Sequence, residues 1–232
     1  MFTHKPIKIA IDGPVGSGKG TLALELAKKL NALYVNTGSM YRELALACLR
    51  DNVDMKDGNK ILETLEKNSI EIKSTEKGIR AILNGEDVSE EIFKPVVSKA
   101  SANVAVFPQV RKAMVIRQRK IAEDAIKSIK SVVMEGRDIT TDVLPDADIK
   151  IYLTADIKVR AQRRLEQFED KGIKAQFDDV LKDLQERDRQ DMQRTASPLR
   201  IVGDAVVIDT TNDTIDQTVD KVIEKLKEKN LV

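Results

Sequence analysis

Lys19 closes a glycine-rich run, Gly13-Pro14-Val15-Gly16-Ser17-Gly18-Lys19-Gly20-Thr21, whose spacing is that of a phosphate-binding loop. Glycines let successive backbone N–H groups turn inward on a polyphosphate, and a lysine at this place supplies a point charge for the terminal phosphates. Gly20 follows Lys19, where a serine or threonine would offer a hydroxyl to Mg2+, and Thr21 comes one residue later. A bound metal would therefore be held mainly by nucleotide oxygens and waters. The other chemistry-bearing residues are arginines: Arg42, Arg111, Arg137, Arg160, Arg164, Arg187 and Arg194, more cations than one polyphosphate needs. Asp138 stands beside Arg137, and Asp191 lies between Arg187 and Arg194 at helical spacing. Direct phosphoryl transfer between two nucleotides must neutralise donor, acceptor and the group in flight, by positioning and electrostatics rather than covalent chemistry. A nucleotide switch or motor needs few cations beyond its loop, and the chain has no Asn-Lys-x-Asp segment for reading guanine.

The elements that must hold these groups can be read in order. Ile7 to Ile11 reads as a buried strand, and Leu22 to Leu30 as a helix with leucines 22, 26 and 30 on one face. The loop thus lies at a helix N-terminus, whose positive end favours anions. Ala32 to Asn36 is a second strand, followed by a helix from Met40 to about Leu49 that Thr37 or Ser39 could cap. Arg42, in its first turn, opposes the helix dipole, which fits an anionic partner or a solvated side chain. After a helix over Asp57 to Lys67, residues 68–93 change character. Ile70-Glu71-Ile72 and Ile79 to Leu83 alternate beside Asn84-Gly85, which is hairpin patterning and marks an insert able to move against the core. Pro95 opens a helix over Val96 to Val106, and Pro108 a longer one carrying Arg111, Arg117 and Arg119. Val132-Val133-Met134 is a strand running into Glu135-Gly136-Arg137-Asp138, at the end where open parallel sheets place ligands. The Arg–Asp pair there is a site or a structural ion pair.

Ile149 to Leu153 is a further strand. Arg160 and Arg164, on the next helix, share a face and repel unless an anion lies between them. Phe177 to Met192 aligns Arg187, Asp191 and Arg194, as either a solvated salt-bridged surface or a reader of phosphate and amino groups. Ala205 to Asp209 is the last strand and Thr214 to about Glu228 the last helix. Strand–helix alternation behind a phosphate loop predicts a three-layer α/β domain.

Composition bounds the partners. Lys+Arg 39 against Asp+Glu 38 leaves a net charge of +1 over 232 residues, and aromatics are 3% with no Trp. Neither a basic nucleic-acid footprint nor a base-stacking platform is expected. One cysteine, Cys48, excludes an internal disulfide and a Cys-rich zinc site, and fits a small core residue in a reducing cytoplasm. No signal peptide or membrane-spanning run is read, and His4 is assigned no role.

GPVGSGKGT, NTGSMYR, the insert with NGEDVS, FPQVRKA, MEGRDITTDVLPDADIKIYL, ERDRQDMQR and SPL…DAVVIDTT occur in the order found in bacterial cytidylate (CMP) kinases, which the chain resembles over nearly its whole length. The resemblance implies a P-loop kinase core with a mostly parallel five-stranded sheet over 1–67 and 94–232. Within it a short helical lid spans about 156–192, and 68–93 is a monophosphate-binding insert. It implies transfer of the γ-phosphate of ATP to CMP or dCMP with Mg2+, in a cytoplasmic chain expected to be a monomer with no nucleic-acid or membrane partner. By motif, residues 13 to 21 would cradle the donor phosphates and Lys19 bridge to the group transferred. Thr37 and Arg42 would meet the acceptor, Arg111 the cytosine, Arg137 the acceptor phosphate and Asp138 the ribose. Arg187 would read phosphate or base, Asp191 accept from the cytosine amino group, and Arg194 serve as a second acceptor-site cation. Arg160 and Arg164 would brace the charge in transfer from the lid side. No residue is expected to ligate metal directly.

The chain departs from the family pattern in four places. A serine common five residues before the Phe of FPxVR is here Ala102, with Ser101 one residue earlier, about 100° away on a helix. Thr140 replaces a glycine, Asp142 stands where an apolar residue is usual, and Asn36 replaces a common aspartate. These bear on base selectivity rather than on the transfer step. The alternatives are a P-loop kinase for another small acceptor and an ATP-binding module without turnover. Against the first, a plain alcohol needs no base reader such as the Arg187/Asp191 face.

Overall fold

The computed structural model describes residues 5–75, 78–170 and 172–232 of the chain; His4 lies outside them. The chain runs β1 (Lys8–Asp12), α1 (Lys19–Lys29), β2 (Leu33–Asn36), α2 (Thr37–Arg50), α3 (Gly58–Lys67), β3 (Ile70–Thr75), β4 (Gly78–Leu83), β5 (Glu86–Asp87), α4 (Pro95–Val104) and α5 (Pro108–Lys127). It continues through β6 (Val132–Gly136), β7 (Ile149–Thr154), α6 (Ile157–Glu169), α7 (Phe177–Gln193), β8 (Val206–Asp209) and α8 (Ile215–Glu228).

Among the described residues β2-β6-β1-β7-β8, in that order, form a five-stranded parallel sheet. Its central strands are apolar on both faces, as a sheet covered by helices requires. Ile9, Ile11 and Val133 face Leu22 and Leu26 of α1 and Val219, Val222 and Leu226 of α8. Ala10, Val132 and Met134 face Ala122 and Ala125 of α5. Asp12 stands in register with Gly136 on one side and Tyr152 on the other, so the glycine loop leaves the sheet between two neighbouring strand ends. That crevice at the carboxyl edge is where such sheets bind ligands.

α2 begins at Thr37, three residues before the sequence reading, and its cap is neither Thr37 nor Ser39. Asn36 Oδ1 accepts from the Ser39 N–H at 2.9 Å. The last residue of β2 is thus the cap of α2, because the side-chain oxygen of an extended residue reaches the third helical N–H without an intervening loop.

The insert is a three-stranded antiparallel sheet, β3-β4-β5. Asn84 (φ 52°) and Gly85 (φ 85°) both take the left-handed backbone that a two-residue hairpin needs. Its Ala81 and Leu83 share a core with Leu44 of α2 and Leu65 of α3, and Ile79 packs at the edge of the α1 core. Arg50 ties it further, reaching Glu86 at 2.6 Å and Glu91 at 2.9 Å. α6 and α7 pack on each other through Ala161, Val180 and Leu184, a small core of their own. Among the described residues no helix is long and apolar enough to cross a membrane.

Candidate active site

The glycine loop is built by close approaches. Gly13 (φ 152°) leaves so little room that a Cβ would lie 2.0 Å from the Leu153 carbonyl oxygen of β7. At Gly16 (φ 78°) an added Cβ would lie 3.0 Å from the Arg160 Cβ, and Gly18 (φ 93°) enters α1 from the left-handed region. Ser17 Oγ donates to the Pro14 carbonyl at 3.0 Å, and Lys19 Nζ donates to the same oxygen at 2.7 Å. Lys19 is buried, and that burial, with the charge of Arg137, pushes its pKa down to about 7. Thr210 braces the loop from β8's side, donating to the Ser17 carbonyl at 3.2 Å while Arg163 donates to the Thr210 carbonyl at 2.6 Å.

Arg160 lies under this loop. It donates to the Ala155 carbonyl at 3.0 Å and the Val15 carbonyl at 3.1 Å, and pairs with Asp188 of α7 at 2.7 Å. The repulsion expected between Arg160 and Arg164 is relieved by Asp188 and by direction: Arg160 is buried, whereas Arg164 lies half-buried over the Phe168 ring at 4.4 Å.

Across from the loop, Arg42 donates to the Ile92 carbonyl at 3.0 Å and to Ser98 Oγ, and lies 5.2 Å from the centre of the Phe93 ring. Burial, then the charges of Arg187, Arg164 and Arg137, push its pKa down to about 9. Arg187 is likewise lowered by burial and by Arg137. Among the described residues Arg187 makes no hydrogen bond or salt bridge. Arg137 pairs with Asp191 at 2.8 Å and donates to the Gly136 carbonyl at 3.0 Å. Arg194, the residue after α7, reaches Asp191 at 3.5 Å from an extended backbone (φ −60°, ψ 144°) rather than from the helix face the spacing suggested. Burial works to raise the Asp191 pKa, but Arg137 and Arg194 hold it below the ordinary carboxylate value.

Arg111 and Asp138 form a buried pair at 2.5 Å, with Arg111 also donating to the Ala105 carbonyl at 3.1 Å and lying 5.5 Å from the Tyr41 ring centre. Ser101 is buried on α4 and donates to the Ser98 carbonyl at 2.8 Å, whereas Ala102, on the next face, is half-buried. Thr37 Oγ1 donates to the Glu135 carbonyl at 2.9 Å.

Most of the sequence-derived residues therefore fall into three groups: Lys19 with Arg137, Asp191 and Arg194, the cations Arg42, Arg164 and Arg187, and the Arg111–Asp138 pair, whereas Arg160 pairs with Asp188 and Thr37 and Ser101 bond backbone carbonyls. Thr21 is exposed at the start of α1. The spacing missed Asp188, the partner of Arg160, and Asp12, whose buried carboxylate meets Ile139 and Thr140. A carboxylate closing an apolar strand directly before the first loop glycine was the signal for Asp12. Among the described residues no cluster of three or more His, Cys, Asp or Glu is placed to hold a metal. The carboxylate nearest the missing hydroxyl is Glu135, with Oε1 3.7 Å from where a Gly20 Cβ would stand.

The family model described as "Cytidylate kinase" matches residues 9–228. A cytidylate kinase of Caldanaerobacter subterraneus is 47% identical over 89% of this chain and 88% of its own length. One from Caldicellulosiruptor saccharolyticus is 44% identical over 90% of each, and one from Bacillus subtilis 40% identical over 90% of this chain and 91% of its own. An uncharacterized protein of Eubacterium ventriosum shares the fold, with a TM-score of 0.53 at 15% identity over 95% of this chain and 98% of that one. Since the match extends from β1 to the end of α8 and takes in the loop, the insert and the arginine-bearing helices, the chain belongs to the cytidylate kinase family.

Proposed function

We propose that the chain moves the γ-phosphate of ATP to CMP or dCMP, giving ADP and CDP or dCDP. The observation that carries this reading is the convergence of four arginines: Arg42 and Arg187 lose basicity to burial and then to the charges of Arg137 and Arg164, and Arg137 also acts on Lys19. Four guanidinium groups so gathered are stabilised by a polyanion, and two nucleotide phosphate chains supply one.

The bond from the γ-phosphorus to the β–γ bridging oxygen breaks as an α-phosphate oxygen of the acceptor attacks in line, so no covalent enzyme intermediate is needed. Residues 13 to 21 cradle the donor phosphates, and Lys19 leaves the Pro14 carbonyl to follow the group transferred. Arg137 and Arg42 take the acceptor phosphate, and Arg164 and Arg187 meet the charge in flight. Arg160 acts by holding the loop against α7. Asp138 accepts from sugar hydroxyls, Arg111 lies towards the base with Ser101 behind it, and Thr37 and Arg194 complete the acceptor side. Asp191 accepts from the cytosine amino group. Uracil carries an acceptor oxygen there, so a carboxylate rejects UMP by leaving two acceptors face to face.

Mg2+ bound with the nucleotide would supply neutralisation of phosphate charge. Asp12 is engaged by N–H donors, so Glu135, beside Gly20, is the carboxylate that would hold the waters around the metal. The insert at 68–93 serves the acceptor through the Arg42–Ile92 contact, and the segment at about 156–192 is the lid. A monomer in a reducing cytoplasm suits the single buried Cys48.

A coupled ADP-release assay with ATP and each of CMP, dCMP, UMP and AMP tests the reading. CMP or dCMP is expected to exceed UMP and AMP by at least about 10²-fold in kcat/KM. Faster turnover of AMP or UMP would overturn it.

A further inference from the structure

Asp12 is fully buried and holds three donors that do not belong to its own strand. Its Oδ1 accepts from the Ile139 N–H at 3.0 Å, and its Oδ2 accepts from the Thr140 N–H at 2.8 Å and Thr140 Oγ1 at 2.6 Å. Ile139 and Thr140 open a single wide turn, Ile139–Val143, that follows directly on Arg137 and Asp138.

A helical turn begun after an aspartate ordinarily takes its cap from that aspartate. Here Asp138 occupies the cap position but makes no side-chain capping bond. Its carboxylate pairs with Arg111 instead, while its carbonyl accepts from the Asp142 N–H at 2.9 Å. The free N–H groups at the start of the turn are satisfied from another strand, by Asp12. The residue after Asp12 is Gly13, where an added Cβ would lie 2.0 Å from the Leu153 carbonyl oxygen, so the loop leaves the sheet packed directly on β7.

We propose that Asp12 is a positioning residue that locks the donor loop to the acceptor-side pair Arg137 and Asp138 by capping their turn from the neighbouring strand, with the Thr140 hydroxyl as the third arm. The side chain does two things for the acceptor side at once. It fixes the turn that aims Arg137 and Asp138, and it releases the Asp138 carboxylate to face Arg111. An amide in place of the carboxylate would set an NH2 group against donors, because Asn has one acceptor oxygen where Asp has two. The proposal rests on the acceptor roles given above to Arg137 and Asp138.

Asp12→Asn, Thr140→Val and Thr140→Ser test it by steady-state kinetics, by titration with a fluorescent ATP analogue, and by hydrogen exchange of the Ile139 and Thr140 amides. Asp12→Asn is expected to raise KM for CMP about 10-fold and lower kcat, with ATP-analogue affinity changed less than about threefold. Thr140→Val should move the same parameters in the same direction by a smaller factor, and Thr140→Ser, which keeps the hydroxyl, should restore them. In the absence of nucleotide both Asp12→Asn and Thr140→Val should speed exchange at 139 and 140. Unchanged exchange in Thr140→Val, or equal loss of ATP and CMP binding in either variant, overturns the proposal, and the Thr140 pair decides if Asp12→Asn fails to fold. Absence of CMP turnover in the unaltered protein would defeat the assigned reaction, whereas the exchange arm would still read the Asp12 lock.

Discussion

Arg137, directly after β6, and Asp191, near the end of α7, form an ion pair 2.8 Å long that joins the sheet edge to that helix. The proposed mechanism gives the two residues different parts of one substrate, the phosphate to Arg137 and the cytosine amino group to Asp191. In the free protein each neutralises the other, so binding CMP means sharing or exchanging this pair. Asp191→Ala should therefore lower kcat/KM for CMP by about 10²-fold, some 2–3 kcal/mol, because it removes a charged acceptor from a desolvated amino group. ATP affinity, measured by direct titration, should stay within about twofold. Equal losses for both nucleotides would make Asp191 a structural residue only.

The backbone of this site was largely legible in the sequence, because it depends on local rules. Glycine spacing marks the loop, apolar runs mark β1 and β6, and Asn84-Gly85 marks the insert turn with positive φ at both residues. What could not be read were contacts between distant residues. Arg160 and Arg164 look equivalent at i, i+4, yet one is drawn under the loop by Asp188, 28 positions away, and the other is left at the rim. The cap of α2 was missed for another reason. Strand and helix share Asn36 with no loop between them, so the signal for a helix start sat inside what reads as a strand. Thr140 reads as a departure that only loses a glycine, whereas its hydroxyl meets Asp12 at 2.6 Å.

Lys19 gives a prediction about protons. Burial and Arg137 push its pKa down to about 7 in the free loop, where its acceptors among the described residues are the Pro14 carbonyl and Ser17 Oγ. A polyphosphate favours the ammonium and must raise that pKa. Nucleotide binding should then take up a proton, and affinity should fall as pH rises above about 7, by at most tenfold per unit. Calorimetric titration with ADP between pH 7 and 8.5, in buffers of different ionisation enthalpy, keeps clear of the phosphate's own titration near pH 6. Lys19→Met should abolish this uptake and lower kcat by at least about 10²-fold while leaving the fold intact. Proton uptake undiminished in Lys19→Met would assign the titration elsewhere.

The Arg160–Asp188 pair separates support from chemistry. Both side chains are largely buried, and the guanidinium also holds the Val15 carbonyl of the loop. Arg160→Ala leaves Asp188 without a counter-charge and should cost about 3 kcal/mol or more in urea unfolding. The double variant Arg160→Met with Asp188→Leu removes both charges and should regain most of that stability. If Arg160 serves only the stability of the fold, turnover recovers in proportion to stability. A stable double variant that remains inactive would assign the loss to contacts of the guanidinium itself, with the Val15 carbonyl of the loop or with the group in transfer.

Glu43 predicts how stability follows pH. It lies on the face of α2 that packs against the insert and is fully buried, and among the described residues neither carboxyl oxygen has a partner in good hydrogen-bond geometry, the Glu71 and Ile82 backbone being the nearest donors. Burial pushes its pKa up to about 9, partly opposed by the backbone of Glu71 and Ile82, with the Glu71 charge adding to the rise. Between the ordinary carboxylate pKa and about 9 the folded protein keeps the proton while the unfolded chain releases it. The unfolded state thus binds fewer protons, and stability must fall as pH rises through this window, by at most about 1.4 kcal/mol per unit. Glu43→Gln carries no such proton. Its urea-unfolding free energy relative to the parent should shift in favour of glutamine by about 4 kcal/mol between pH 5 and pH 8. A difference that stays constant across that range would mean that Glu43 is ionised in the fold, and that the insert rests on a charged rather than a neutral carboxyl.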